Sequence, residues 1–255
     1  MEQIAIISDI HGNMPAYDAV LEDIQRRGIR RIFCLGDLVG KGPHSERAVD
    51  RTREVCDIVI RGNWDDFIVK PQTSPELQWH QNRLGEERMK YLSELPFCYD
   101  YWMSGRRVRL FHASPQSVYC RIQPWDSWED RLTMFDNTDS TPSSCYVEGP
   151  DVAGYGDIHQ AYMQHMDGKT LFNTGSVGNP LDMTSASYVI MEGEYKCREA
   201  APFTIQFARV SYDIELSIQL AKDERMPLLE PYAAELRTAV YRGLQSKSKR
   251  EGEQG

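Results

Sequence analysis

Seven residues of metal-binding types in this 255-residue chain each follow a short apolar run. Asp9 and His11 come after residues 4–7. Asp37 comes after 31–35, inside Gly36-Asp37-Leu38-Val39-Gly40. Asn63 comes after 57–60, inside Gly62-Asn63-Trp64-Asp65. His112 comes after 108–111, and Asp157 and His159 come after 152–155. Three carboxylates, three imidazoles and an amide carbonyl suit Mn, Fe or Zn better than Ca. They are too many for one tetrahedral ion and fit two ions that share a carboxylate. Two such ions, about 3.5–4 Å apart, bind a water between them, lower its pKa and clamp a phosphoryl group for in-line attack.

Residues so far apart in sequence need a scaffold that gathers them. The apolar runs read as strands, and helices alternate with them. Asn13 reads as a helix N-cap with Pro15 in the first turn. Tyr17, Val20, Leu21 and Ile24 then form one apolar face, and Gly28 ends the helix. Residues 45–55 read as a second helix. The resulting β-α-β-α-β order predicts a parallel sheet, and ligands of such sheets bind at the carboxyl ends of the strands. Further along, 75–95, 214–221 and 232–243 read as helices, and 170–172, 187–191 and 204–210 as strands. Residues 116–150 lack periodicity and form an irregular loop or cap; the polar 245–255 reads as a disordered tail. Nothing in 1–244 marks a linker, so one domain is expected.

Five short motifs occur in a fixed order: Ser8-Asp9-Ile10-His11-Gly12-Asn13, Gly36-Asp37-x-x-Gly40, Gly62-Asn63-x-Asp65, His112-Ala113-Ser114-Pro115 and Gly156-x-x-His159. In that order the chain resembles the calcineurin-like metallophosphoesterase family. Asn173-Thr174-Gly175-Ser176-Val177-Gly178-Asn179-Pro180 is similar to its bacterial and archaeal branch of diadenosine tetraphosphatase-like proteins and phosphodiesterases. The resemblance implies a four-layer α/β/β/α sandwich of two mixed sheets flanked by helices. It implies that Asp9, His11 and His159 hold one ion, that Asp37 bridges, and that Asn63 and His112 hold the second. Asn13, Asn63, Trp64 and His112 are the residues expected to touch substrate. Asp65 is the candidate catalytic carboxylate, with orienting a neighbour or capping a helix as its other roles.

Two positions depart from the family pattern. Asp157 stands where the family has a histidine, and as a ligand it would favour a harder ion such as Mn over Zn. Trp64 stands where the family often has the histidine that assists the leaving group, and indole cannot be a general acid. Either the substrate has a good leaving group, or another histidine (His44 or His80) substitutes, or Trp64 stacks on a base or aryl group. Outside the motifs, His44 and His80 read as surface or loop residues, and His165 and Asp167 as part of a hairpin turn at Gly168-Lys169. Taken singly, Asp9 or Asn63 could cap a helix and His112 could be a core histidine; as a set they point to a metal centre.

The expected function is a dinuclear-metal phosphohydrolase acting on a small phosphorylated substrate, with a nucleotide or dinucleoside polyphosphate favoured. A protein phosphatase or general phosphodiesterase is the alternative, and a non-catalytic metal- or nucleotide-binding regulator the third reading. Mn is the expected ion, with Fe, Zn, Ni and Mg behind it. The net charge of −9 argues against nonspecific nucleic-acid binding. Two divalent ions would nevertheless reverse the local sign at the cluster. No apolar stretch approaches the length of a membrane span, no basic flank precedes residues 4–7, and six dispersed cysteines form no C-x-x-C pair. A cytoplasmic protein with reduced thiols is expected.

Overall fold

The computed structural model describes residues 1–141 and 148–243. In chain order the elements are β1 (Glu2–Ile7), α1 (Met14–Arg26), β2 (Arg31–Cys34), α2 (Ser45–Val55), β3 (Ile58–Val59), α3 (Asn63–Ile68) and α4 (Pro75–Ser93). Then come β4 (Cys98–Met103), β5 (Arg106–Phe111), α5 (Trp128–Leu132) with a 3₁₀ turn at Thr133–Phe135, β6 (Val152–Tyr155), β7 (Ala161–Met166) and β8 (Lys169–Thr174). β9 (Ala186–Gly193), β10 (Thr204–Val210), α6 (Ile214–Asp223) and α7 (Leu229–Thr238) follow.

The strands form two five-stranded mixed sheets, ordered β10-β9-β1-β2-β3 and β4-β5-β6-β8-β7. In the first, β1, β2 and β3 run parallel and β9 is antiparallel to both of its neighbours. In the second, β5, β6 and β8 run parallel, with β4 and β7 as antiparallel edges.

Side-chain alternation builds the layers. On β1, Ala5 and Ile7 join Tyr17, Val20 and Ile24 of α1, Val49 of α2 and Leu84 of α4 in the outer core. Ile4 and Ile6 point the other way and meet Phe33, Val108, Leu110, Phe172 and Val189 between the sheets. Each such fully buried side chain contributes about 1.5–3 kcal/mol relative to exposure. The far face of the second sheet is covered by Met134 and Phe135 of the 3₁₀ turn, with Ile122. Two mixed sheets flanked by helices match the expected sandwich, although the outermost layer on that side is irregular chain with one short helix.

An arginine pins this irregular layer. Arg109 of β5 is fully buried, donates two 2.8 Å bonds to Asp100 of β4, and uses Nη1 on Asp136 O (3.0 Å) and Asn137 Oδ1 (3.1 Å). The covering segment is tied to the sheet by charge as well as by apolar contact.

The helix at 45–55 and the strand at 204–210 lie where periodicity predicts them. β4 and β7 were not anticipated: both are edge strands with half-exposed, mixed-polarity faces, so alternation is weak. α4 is interrupted at Gly85, whose φ of 70° breaks the helical path. α7 starts earlier than expected and ends at Thr238, because Leu228 and Ala239 take left-handed conformations at its two ends. The expected tail at 245–255 and Cys145 lie outside the described residues. Among the described residues no two cysteines form a disulfide, and no helix is long and apolar enough to cross a membrane.

Candidate metal centre

The carboxyl ends of both parallel strand sets meet on one rim. β1, β2 and β3 deliver Asp9, Asp37 and Asn63; β5 and β6 deliver His112, Asp157 and His159. The turns that carry them are unusual. Asp9, His11, Asp37, Asp157 and His159 all have positive φ, between 49° and 62°. Non-glycine residues rarely adopt this region, and clusters of them mark sites whose geometry the surrounding fold enforces. The tripeptide Asp-Ile-His occurs twice, at 9–11 and 157–159, with both its aspartate and its histidine left-handed each time. Each sheet thus contributes one copy.

Backbone bonds lock the loops together. Asp9 N–H donates to Gly36 O and His11 N–H to Asp37 O, both at 3.0 Å. Asp65 is fully buried and accepts from the N–H groups of Asp37 (2.8 Å), Gly62 (2.9 Å) and Leu38 (3.0 Å). This corrects the expectation that Asp65 is catalytic: its oxygens are committed to backbone, so it is a positioning residue. Gly62 is required by close approach, since a Cβ there would lie 2.1 Å from Asp37 Oδ1.

Three histidines point ring nitrogens inward. The Nδ1 atoms of His11, His112 and His159 lie 2.9, 2.7 and 2.5 Å from the carbonyls of Val39, Leu35 and Asn179. A carbonyl accepts, so each Nδ1 carries a proton and each ring turns its Nε2, the atom that would ligate a metal, towards the cluster. Most of what those Nε2 atoms face is acceptor, the exception being the Lys41 Nζ, 3.4 Å from His159 Nε2. His11 Nε2 and His159 Nε2 are 3.3 Å apart, and Asp9 Oδ1 is 3.8 and 3.2 Å from them. Asp9 Oδ1 is buried and has no hydrogen-bond partner. On the other side, His112 Nε2 lies 3.0 Å from Asn63 Oδ1 and 3.4 Å from Asp37 Oδ1.

Carboxylate oxygens, an amide oxygen and imidazole Nε2 atoms gathered this closely favour positive charge among them, so this donor set fits metal ions. Two overlapping groups emerge, Asp9-His11-His159 and Asp9-Asp37-His112, with Asp9 common to both. Asp37, expected to bridge, also straddles the centre, 3.5 Å from His11 Nε2 by Oδ2 and 3.4 Å from His112 by Oδ1. The local field is strongly negative. Burial opposes protonation of His112, yet Asp37, then Asp9 and Asp157, push it up to about 10. Divalent ions satisfy the same demand for positive charge.

Asp157 stands apart from both groups. Its nearest metal-type neighbour is His112 Nε2, at 4.0 Å, and its oxygens accept from Arg121 Nε (2.7 Å) and Nη2 (2.8 Å). Asn13, expected to touch substrate, is turned into the fold. It caps α1, donates to Gly178 O (2.8 Å) and accepts from Ser217 Oγ (2.9 Å). His44 and His80 are buried rather than at the surface, and neither reaches the cluster: His80 packs edge-on against Trp64 with ring centroids 6.3 Å apart. His165 sits on the β7–β8 hairpin, as expected.

Trp64 lies beside the centre, its ring 5.7 Å from the His11 ring, and its backbone N–H donates to Asp37 Oδ1 (2.8 Å). Its ring covers Gly40, where a Cβ would come within 2.0 Å of it. Next to it opens a cavity of about 540 Å³, lined by Lys41, Trp64, Arg121, Trp125, His159 and Tyr241 among others. Trp125, placed in the irregular segment by sequence, is thus part of the site wall. Lys41, Arg121 and the 239–242 stretch were not singled out from sequence. Only Lys41 carried a signal, a cation between two glycines of the Asp37 loop.

A family model for the calcineurin-like phosphoesterase superfamily domain matches residues 2–196. The chain belongs to the calcineurin-like phosphoesterase superfamily. It is a metal-dependent phosphoesterase. An uncharacterized protein of Methanocaldococcus jannaschii is 30% identical over 88% of this chain and 93% of its own length. Phosphodiesterase YfcE of Escherichia coli is 31% identical over 35% of this chain and 55% of its own length. Among solved structures, a metallophosphoesterase from Sphaerobacter thermophilus superposes with TM-score 0.73 at 23% identity, covering 94% of this chain and 99% of that one. A putative diadenosine tetraphosphatase superposes with TM-score 0.52 at 20% identity, covering 82% and 94%. These two structures show the shared fold of this phosphoesterase.

Proposed function

We propose that this phosphoesterase uses two divalent ions, with Mn preferred, to hydrolyse a nucleotide or dinucleoside polyphosphate. Asp9, His11 and His159 would hold one ion, and Asp37, Asn63 and His112 would hold the other beside Asp9. The ions supply an activated water and a clamp on the phosphoryl oxygens. The chain's own part is orientation. Backbone carbonyls fix the three imidazoles, Asp65 fixes the Asp37 loop, and the cavity positions the rest of the substrate.

The observation that carries this reading is the cavity itself, which opens on His159 and combines cations with the exposed indole of Trp125. Base–aromatic stacking is worth about 1–3 kcal/mol, so an aromatic wall favours a nucleoside over a plain phosphate. Trp64 provides no acid, and polyphosphate leaving groups need none. The carboxylate- and imidazole-rich donor set supports Mn; Fe, Zn, Ni and Mg compete for the same ligands. The dispersed cysteines, with no disulfide among the described residues, support a cytoplasmic setting.

A panel with Mn tests this: diadenosine tetraphosphate, ATP, bis-p-nitrophenyl phosphate, p-nitrophenyl phosphate and a phosphopeptide. The expected result is the highest kcat/KM on a nucleoside polyphosphate. Fastest turnover of the nitrophenyl diester would favour the general phosphodiesterase reading, and of the phosphopeptide a protein phosphatase. Turnover of none would leave a metal- or nucleotide-binding regulator.

A further inference from the structure

We infer that the cavity contains a second anion subsite, formed by Lys41 and Arg121, for a phosphoryl group of the substrate other than the one attacked. This rests on the phosphohydrolase reading and narrows it to substrates with two or more linked phosphoryl groups.

Lys41 shares the backbone signature of the metal ligands. Its φ is 56°, in the same left-handed region as Asp9, His11, Asp37, Asp157 and His159. A lysine at such a position is less stable than glycine or asparagine would be, so the fold holds it there against local preference. Its Nζ donates to Asn179 Oδ1 at 2.9 Å and lies 3.4 Å from His159 Nε2. Among the described residues it makes no ion pair in contact; Glu235, Asp9 and Asp37 act on it only from further away. An ammonium in a cavity wall with no carboxylate in direct contact can take an anion as its hydrogen-bonded partner.

Arg121 approaches the same cavity from the irregular segment. Asp157 is only 4% exposed at its side chain, Arg121 48%, and the pair is bidentate. The buried carboxylate therefore fixes the plane of a guanidinium that reaches outward. Nε and Nη2 are used on Asp157, and Nη1 is directed to no described protein acceptor. Such a fixed fork is well suited to phosphate oxygens. In this view Asp157 positions Arg121 instead of ligating metal, which accounts for a carboxylate where the family has a histidine. The third cation at the cavity, Arg242, is already neutralised by two bonds to buried Glu235, at 2.9 and 2.6 Å, so it forms wall and not subsite.

The test compares two probes on the Mn-loaded protein at fixed free Mn: inorganic phosphate and methylenediphosphonate, by calorimetry. The wild type should bind the diphosphonate about tenfold tighter or more, the scale of one charged hydrogen-bonding contact. Lys41→Met and Arg121→Met should each bring the two probes within about threefold, while Arg121→Lys retains part of the preference. Elemental analysis of Asp157→Asn should still find two ions per chain. Equal affinities in the wild type, or methionine variants that keep the preference, overturn the subsite; loss of an ion from Asp157→Asn overturns the positioning role. Thermal melts identify any variant that fails to fold, and the wild-type probe ratio decides the subsite without it. Preference for the diphosphonate in a protein that hydrolyses no phosphoester would sink the hydrolase reading and keep the subsite. Efficient hydrolysis without that preference would do the reverse.

Discussion

His11 and His159 come from different sheets, yet their Nε2 atoms stand 3.3 Å apart with the rings nearly stacked, 29° between planes. Each ring is protonated on the other nitrogen by its bond to a backbone carbonyl. An ion held by both Nε2 atoms would therefore join the two sheets.

Metal removal should lower thermal stability for this reason. At Mn concentrations about 100 times Kd, binding stabilises the folded state by about 2.7 kcal/mol. For a domain of this size that is a rise in Tm of about 5–10 °C. Differential scanning calorimetry with and without chelator checks it; superimposable melts would show that the ions do not bridge the sheets.

Asp9→Asn should be the most damaging single ligand change. Asp9 is the one carboxylate common to both candidate groups. We expect bound metal to fall from two ions towards none, with kcat down by at least about 100-fold. Elemental analysis beside the kinetics separates loss of ions from loss of chemistry.

Asp65→Ala should act through Asp37. Three backbone N–H groups lose their acceptor, which costs about 1–3 kcal/mol of stability. The Asp37 loop loosens, so metal affinity should fall about 10–100-fold. A variant with normal metal affinity and only a lowered Tm would confine Asp65 to a purely structural role.

Asp100→Ala should destabilise by about 3–5 kcal/mol, because it removes the carboxylate that pairs with the buried guanidinium of Arg109. Replacing both partners by apolar residues should recover much of that loss. Denaturant titration of the two single variants and the double variant measures the coupling.

Asp182 predicts an acid limb. Burial raises its pKa, but Arg209 and the N–H groups of Ala161 and Met183 outweigh that and hold it below the ordinary 3.8. A lowered native pKa means the contribution is complete above the unfolded value and disappears as pH falls through the native one. The loss should therefore begin below about pH 4. Asp182→Asn should flatten this part of the stability–pH curve; an unaltered acid limb would exclude the residue.

Much of the scaffold was readable because its inner strands are apolar runs closed by metal-type residues. Asp9, His11, Asp37, Asn63, His112 and His159 converge as their strand-end positions require. What periodicity could not show was where side chains turn once the chain is folded. Asn13 and Asp65 carry the right chemistry but spend it on backbone and neighbouring side chains. His44 and His80, polar and outside every motif, are buried through packing that no local pattern encodes. Arg121 lies in a segment without periodicity, ordered through tertiary contacts such as those of Arg109 and Asp157. The stretch at 239–242 reaches the cavity only because a left-handed Ala239 ends α7 early.

Trp64 has one more consequence. It is one of five tryptophans in the chain, and its indole stands 5.7 Å from the imidazole of His11, a candidate metal ligand, seated on Gly40. A paramagnetic ion arriving at His11 will quench its emission, so the difference spectrum between wild type and Trp64→Phe reads out occupancy of the centre. The protein carries its own optical gauge of metal loading, usable without substrate or dye.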